Sequence, residues 1–340
     1  MSIEGPRAIG ANRQISKIRL TDLAEAAGCS VATVSRALHD STLISRATKT
    51  RIHQIARTQG YHIAYDGAND LPSAQSRLAI LIGSHPSQGH ASQGLPYALD
   101  ALLGGLVKAS LHSPCNLQVF HLPQTAGSSF ESILSDVDAD GYLLFGSSDL
   151  RDTLDRHFES GAVKPDARIL FWGEGVSGQR FESIGPDNFA IGAMSVTHLA
   201  GVGCRRIAYL GETQGQDSGR RFMGYLTALN EAGLKFDSDL ILSTPDAAHR
   251  AAGTFDGLFV ADEGLYVAAL ERLRAAGLST PADLRVVGYY NEAPAFPMET
   301  VSIDPVEAAR RILVRLFGTR LKTEPSCEKL PVTLRALPQT

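Results

Sequence analysis

From Arg77 to the C-terminus, short runs of consecutive apolar residues alternate with stretches of helical periodicity, and this alternation restricts the fold more than any other feature of the chain. The apolar runs are Leu78–Ile82, Leu117–Phe120, Tyr142–Phe145, Ile169–Trp172, Ile207–Leu210, Gly257–Val260 and Leu284–Tyr289. Helical windows lie at 97–112, 188–201, 218–232, 263–276 and 305–317. A strand that is apolar along its whole length buries both faces, and helices between successive strands provide parallel crossovers. The expectation is therefore parallel sheets covered on both sides. The segment 77–340 is long enough for two such lobes, and open sheets of this kind bind ligands beyond the carboxyl ends of their strands.

The first part of the chain reads differently. Residues 1–16 lack periodicity and contain Gly5, Pro6 and Gly10, which predicts a disordered arm. Between Leu20 and Gly60 three short helices are expected. Thr21 can cap the first, which runs to Ala27 with Leu23, Ala24 and Ala27 inward; Gly28–Cys29–Ser30 makes a turn. Ser30 can cap a second helix through about Leu38, and Ser45 a third, with Ile52, Ile55 and Ala56 inward. Two short helices joined by a glycine turn form a helix-turn-helix, whose second helix enters the major groove. The small Ala24 and Ala27 let the helices cross closely. Val34 and Leu38 face the core, and Val31, Ala32, Ser35 and Arg36 fall on the other side.

The expected domains are a disordered arm at 1–16, a helix-turn-helix head at 17–62, a linker at 63–76 and an α/β core at 77–340. Within the core, lobe 1 is expected at about 77–175 and 305–322, and lobe 2 at about 176–304 and 323–340. Residues 1–66 carry nine Lys/Arg against five acids, a balance of +4; since the whole chain is −4, the remainder is −8. A basic head on an acidic body suits a head that meets phosphate. No apolar run approaches the roughly 20 residues of a membrane helix, and the N-terminus has no apolar signal region. Cys29, Cys115, Cys204 and Cys327 lie far apart with no metal-ligand spacing, so they read as reduced thiols of a cytoplasmic, nucleoid-associated protein. GxxxxGK[ST], GxSxG and HExxH are all absent. No catalytic residue, cofactor or metal is expected.

The run Asp22-Leu23-Ala24 … Ala27-Gly28-Cys29-Ser30-Val31-Ala32-Thr33-Val34-Ser35-Arg36-Ala37-Leu38 resembles the signature of the LacI/GalR family of bacterial transcriptional regulators. Ile44-Ser45-Arg46-Ala47-Thr48-Lys49 … Gly60-Tyr61 is similar to that family's third helix and its ending. The resemblance implies a small all-α head on a periplasmic-binding-protein-like core of two parallel-sheet lobes. By analogy, Val31 and Ala32 occupy the variable base-reading pair and Arg36 the position that reads guanine. An Arg in the groove donates bidentately to O6 and N7 of guanine, whereas Val31 and Ala32 at most favour thymine methyls. Thr33, Ser35 and Thr48 suit phosphate contacts, which position without specifying; Thr21, Ser30 and Tyr61 complete the expected DNA-facing set. The linker departs from the family: Gly67 and Pro72 disfavour a hinge helix, and Leu71 is the remaining candidate for a minor-groove wedge.

The resemblance continues over nearly all of 77–335, through Asp140–Leu144, Ile184–Asn188, His198–Gly211, Arg221–Tyr225, Val286–Tyr289 and a last strand at Leu330–Arg335. It places Arg221 in an effector pocket, where a guanidinium fork can hold hydroxyls, a carboxylate or a phosphate; otherwise Arg221 is a surface residue like Arg220. Asp262 stands where the family has Asn, and either accepts from effector hydroxyls or caps the following helix. Asp187 has the same two roles open. Tyr290 replaces a usual acidic pocket residue, and with Trp172 and Phe296 offers a stacking face or core packing. Tyr97 and Ser147 complete the expected effector contacts. The segment Ser243–Asp256 is shorter than the family's helix-containing counterpart.

The resemblance implies a repressor whose homodimer, or tetramer, places two heads on a palindromic double-stranded operator and senses a small molecule between its lobes, by default a sugar. Rival readings are control by a protein partner, or an α/β enzyme. A transport solute-binding protein is opposed by the helix-turn-helix.

Overall fold

The computed structural model of the chain describes residues 20–38, 44–45, 48–49, 51–52, 55, 76–83, 97–111, 115–122, 137–146, 148–163, 168–176, 178–278, 280, 283–290, 299–318 and 326–337. The chain divides into two compact units, Met1–Ala68 and Asn69–Thr340.

In the head, α1 (Leu20–Ala27) and α2 (Val31–Leu38) enclose a small core of Leu23, Ala24, Ala27, Val34, Ala37 and Ile52. The turn between them follows from one glycine. Gly28 takes φ +58°, and the Cys29 and Gly28 amides donate back to the carbonyls of Ala24 (3.0 Å) and Glu25 (3.1 Å). This closes α1 with two otherwise orphaned carbonyls satisfied. Arg51 adds a third bond, donating through Nη2 to the Ala27 carbonyl at 2.8 Å. Ser30 caps α2 by accepting from the Thr33 amide at 3.1 Å, and Ser45 accepts from the Thr48 amide at 3.2 Å at the start of the third helical stretch. Thr21 is not the cap of α1. The helix already includes Leu20, so Thr21 lies in its first turn, its hydroxyl 3.4 Å from the Asp22 carboxylate. The Leu38 side chain, Ala56, Tyr61 and the linker with Leu71 lie outside the described residues.

The core contains β1 (Arg77–Ile82), α3 (Tyr97–Ser110), β2 (Asn116–His121), β3 (Gly141–Phe145), α4 (Ser148–Ser160), β4 (Ile169–Trp172) and β5 (Glu182–Pro186). There follow α5 (Asn188–Gly201), β6 (Ile207–Leu210), α6 (Gln216–Glu231), β7 (Ile241–Leu242), α7 (Pro245–Arg250), β8 (Gly257–Val260) and α8 (Glu263–Ala275). The last elements are β9 (Arg285–Tyr289), β10 (Glu299–Ser302), α9 (Pro305–Phe317), β11 (Cys327–Leu330) and β12 (Thr333–Arg335). One sheet has the order β11-β5-β4-β3-β1-β2 and the other β12-β10-β9-β8-β6-β7. Every neighbouring pair is parallel except β10 with β12. The first sheet is covered by α3 and α9 on one face and α4 on the other; the second by α5 and α6 on one face and α7 and α8 on the other.

Two strands sit in the other lobe from the one expected. β5, within 176–304, and β11, within 323–340, both belong to the first sheet. Three long-range ion pairs fix them there. Arg315 of α9 donates to Glu182 of β5 (2.7 Å) and Glu328 of β11 (2.6 Å), and Arg311 also reaches Glu328 (2.8 Å). These partners are half-buried, and Arg311 is held well above its ordinary pKa, the flanking Glu307 and Glu328 outweighing its burial. The run Leu330–Arg335, read as one strand, is two: Leu330 ends β11 in the first lobe, and Thr333 opens β12 in the second. The chain thus crosses between lobes three times, after Pro186, after Ser302 and after Leu330.

Candidate DNA-reading face and inter-lobe cleft

On α2 the buried positions are Val34 and Ala37, so Val31, Ala32 and Arg36 are exposed and Thr33 and Ser35 half-buried on the remaining surface. Val31 is 41% exposed, a large apolar side chain left in water at the start of the helix. The hydroxyls of Ser30 and Thr33 lie 2.9 Å apart and those of Ser45 and Thr48 2.8 Å apart. The two helices therefore begin alike, each with a Ser/Thr pair at its amino end, where orphaned amides favour an anion.

In the core, Asp187, Arg221 and Asp262 meet where β5, β6 and β8 end. Asp187 caps α5, accepting from the Ala190 amide at 3.0 Å, and Asp262 caps α8, accepting from the Gly264 amide at 2.9 Å. Both cap alternatives raised by the sequence are thus realised. Arg221 is not a free surface residue. Its Nε donates to Asn188 Oδ1 at 2.8 Å, its Nη1 to the Ala261 carbonyl at 2.6 Å, and its guanidinium lies over the Tyr289 ring at 4.7 Å. These contacts fix the fork at the carboxyl ends of β8 and β9. Burial drives the Tyr209 phenol far up, with Arg221 opposing and Asp262 reinforcing that shift. Asn188, fully buried, has an amide nitrogen without a hydrogen-bond partner. Sequence reasoning assigned Asn188 no role; only the packing of α5 on α6 makes it the residue that orients Arg221.

That packing is close because two glycines face each other's helix. A Cβ at Gly192 would overlap the Arg221 carbonyl, and one at Gly224 the Phe189 carbonyl. The lobes are also clasped by the loop after β4. The Glu174 amide donates to Asp217 Oδ1 at 3.0 Å, Gln216 Nε2 donates to the Gly175 carbonyl at 3.1 Å, and the Glu174 carboxylate pairs with Arg220 at 3.1 Å and Lys329 at 2.6 Å. No local sequence pattern distinguishes these residues from ordinary surface charges.

The aromatic expectations divide. Trp172 remains half-buried at the end of β4, stacked on Phe145 at 5.5 Å. Tyr290 is a core residue, 7% exposed and packed on Tyr266 at 5.8 Å, and so is not an open stacking face; the volume that an Asp would leave is filled by its ring. Tyr97 begins α3, but its side chain, Ser147 and Phe296 are outside the described residues. The segment after β7 does hold a helix, α7, shortened to Pro245–Arg250 and capped by Thr244. Among the described residues no group of three or more His, Cys, Asp or Glu is placed to hold a metal ion, and no helix is long and apolar enough to cross a membrane.

Residues 19–63 match the family described as "Bacterial regulatory proteins, lacI family", and residues 196–335 match the "Periplasmic binding protein-like domain". The head of the chain therefore matches the LacI-family model itself, and the second half of its core matches a periplasmic-binding-protein-like one. It is 28% identical over 322 residues to the HTH-type transcriptional regulator CelR of Thermobifida fusca, covering 89% of this chain and 91% of that protein. The maltose regulon regulatory protein MalI of Escherichia coli K12 is 29% identical over 246 residues, covering 71% of this chain and 68% of that protein. Among solved structures, a CelR–cellobiose complex superposes with a TM-score of 0.60 at 24% identity, covering 94% of this chain and 98% of that one. The Lac repressor bound to ONPG superposes with a TM-score of 0.56 at 17% identity, covering 94% and 99%. This chain is a transcriptional regulator, with a helix-turn-helix head and a two-lobed α/β core.

Proposed function

We propose that this regulator is a cytoplasmic repressor that binds a palindromic operator as a homodimer and changes its operator affinity when a sugar or sugar derivative enters the cleft between the core lobes. The observation that carries the DNA half is the outward face of α2, where Val31, Ala32 and Arg36 stand exposed behind the Ser30 cap. Arg36 reads a guanine, Val31 and Ala32 contribute apolar contact to thymine methyls, and Thr33, Ser35 and Thr48 meet phosphates. The effector half is supported by the fixing of Arg221 beside Asp262 at the strand ends, and by the cellobiose bound to the related CelR. A ligand that prefers one lobe arrangement shifts operator affinity by its differential affinity, typically about 1–3 kcal/mol.

The test is fluorescence anisotropy with fragments of the regulator's own upstream region, repeated at several salt concentrations and with neutral sugars added. Arg36→Ala is expected to weaken operator binding by about 1–3 kcal/mol, roughly 5- to 150-fold, and to relax preference at one base pair. Equal losses on every DNA sequence would remove the guanine contact from this reading.

A further inference from the structure

Arg151 lies in the first turn of α4 and is only 7% exposed, yet among the described residues none of its nitrogens has a hydrogen-bond or ion-pair partner; its Nε is fully buried. Its one recorded interaction is through the flat of the guanidinium, which rests 4.8 Å over the Phe171 ring. Stacking satisfies the face of the fork and leaves the in-plane donors unused. A buried guanidinium without an anion is costly, and natural proteins keep such a group where something else supplies the charge.

The surroundings indicate where that charge would come from. Nη2 points at Gly173, directly after β4: a Cβ there would be 3.1 Å from Arg151 Nη2 and 3.3 Å from Asp217 Oδ2. Gly173 adopts φ +137° and, lacking a Cβ, lets Arg151 of the first lobe and Asp217 of α6 in the second approach this corner together. Each of the two nearby acids is engaged through one oxygen, and Glu174 Oε2 is buried without a partner. Glu174 is shared by Arg220 and Lys329, and Asp217 is held through Oδ1 by the Glu174 amide. Asp217 and Arg221 are four residues apart on α6, one helical turn on the same face, a Cβ separation of roughly 5–6 Å. The unpartnered fork of Arg151 therefore lies at the carboxyl end of β4, beside Asp217 of the helix that also carries Arg221.

We propose that Arg151 recognises an anionic group of the effector, so that the cleft prefers an acidic sugar, a carboxylate or a phosphate ester, over the neutral parent. This rests on the reading of the cleft as the effector site. The donors of the fork are disposed for a bidentate bond to either anion.

The experiment uses the full chain and isothermal titration with glucuronate, gluconate, glucose 6-phosphate and neutral glucose, together with thermal unfolding in inorganic phosphate. An acidic probe is expected to bind at least about tenfold more tightly than glucose, and Arg151→Gln to abolish that preference. Glucuronate against glucose 6-phosphate separates carboxylate from phosphate recognition. Without any sugar, Arg151→Met is expected to raise Tm, because it removes an unpartnered buried charge while keeping the packing on Phe171, and phosphate is expected to stabilise the wild type but not the variant. Tighter binding of glucose than of every acidic probe overturns the proposal, as does a Tm lowered by Arg151→Met. So does Asp217→Asn reproducing the Arg151→Gln loss, since Arg151 would then be a clasp partner of Asp217. If no sugar of either kind binds, the effector reading falls, while the phosphate and Tm measurements still decide the role of Arg151.

Discussion

Replacing Gly192 by Ala tests whether the crossing of α5 and α6 holds the cleft in shape. The new Cβ would overlap the Arg221 carbonyl oxygen and lie 2.8 Å from the Tyr225 nitrogen. Both are backbone atoms of a packed helix and cannot swing aside, so the helices must part by more than about an ångström to restore ordinary contact. Exchanging Gly for Ala gains about 1 kcal/mol of helix propensity. Forcing a methyl into closed packing costs about 1–3 kcal/mol, and the displacement also strains the charged hydrogen bonds from Arg221 to Asn188 and Ala261, worth about 1.5–3 kcal/mol each when intact. The expected net loss is about 2 kcal/mol, which for a unit of this size lowers Tm by roughly 4–8 °C. Gly104 is the control: exposed on α3, with nothing within 4 Å of its added Cβ, it should gain about 0.5–1 kcal/mol on substitution by Ala. Scanning calorimetry of both variants is decisive. If Gly192→Ala is as stable as the wild type, or both variants shift in the same direction, the close crossing does not restrain this lobe.

Acid should weaken the core in a defined window. Burial raises Glu299, but His198 and Arg285 more than offset it, and Arg310 and Arg311 do the same for Glu307, so both carboxyls sit below their ordinary 4.5. Their folded values being depressed, the stability they contribute is complete above about 4.5 and is lost as pH falls through the lower folded values. Urea midpoints measured from neutral pH downward should therefore drop below that point, and Glu299→Gln should flatten the acid limb; an unchanged limb would contradict the assignment. Cys204 is buried, and that burial, with Asp256 nearby, pushes its thiol up to about 11, whereas Cys327 is exposed. With a thiol-specific disulfide reagent at mildly alkaline pH, peptide mapping should find Cys327 modified in the native protein and Cys204 only after unfolding; early modification of Cys204 would refute its burial.

The head was legible residue by residue because its signals are local. Gly28 closes α1, Ser30 caps α2, and the spacing of Leu23, Ala24, Ala27 and Val34 marks one buried face, all within a few residues of chain, whereas the burial of Ala37 was not read from it. The start of α1 was displaced by two positions from a Thr21 cap, within the usual scatter of helix starts. The wholly apolar strands β1, β3, β4, β6, β8 and β9 were equally plain, because burial on both faces leaves no polar alternation. The weaker strands β5, β10 and β11 carry Glu182, Glu299 and Glu328 within them, and each acid has a cationic partner more than ten residues away in sequence. A pattern that looks like surface polarity is in these cases buried or half-buried pairing.

By itself, then, the sequence determined the kind of object this regulator is: a small helical reader with Arg36 outward, followed by parallel α/β lobes with Arg221 near the strand ends. The head and the lobes follow from helical and strand periodicity and from capping chemistry, which act over one or two turns of chain, and the place of Arg221 from the family resemblance. Only the tertiary structure decided which lobe receives β5 and β11, that Asn188 orients Arg221, that Tyr290 fills core rather than cleft, and that Arg151 is buried without a partner. Each of those depends on where segments distant along the chain come to rest, and an Arg or a Tyr has the same local signature whether its neighbour in space is water, an aromatic ring or an acid.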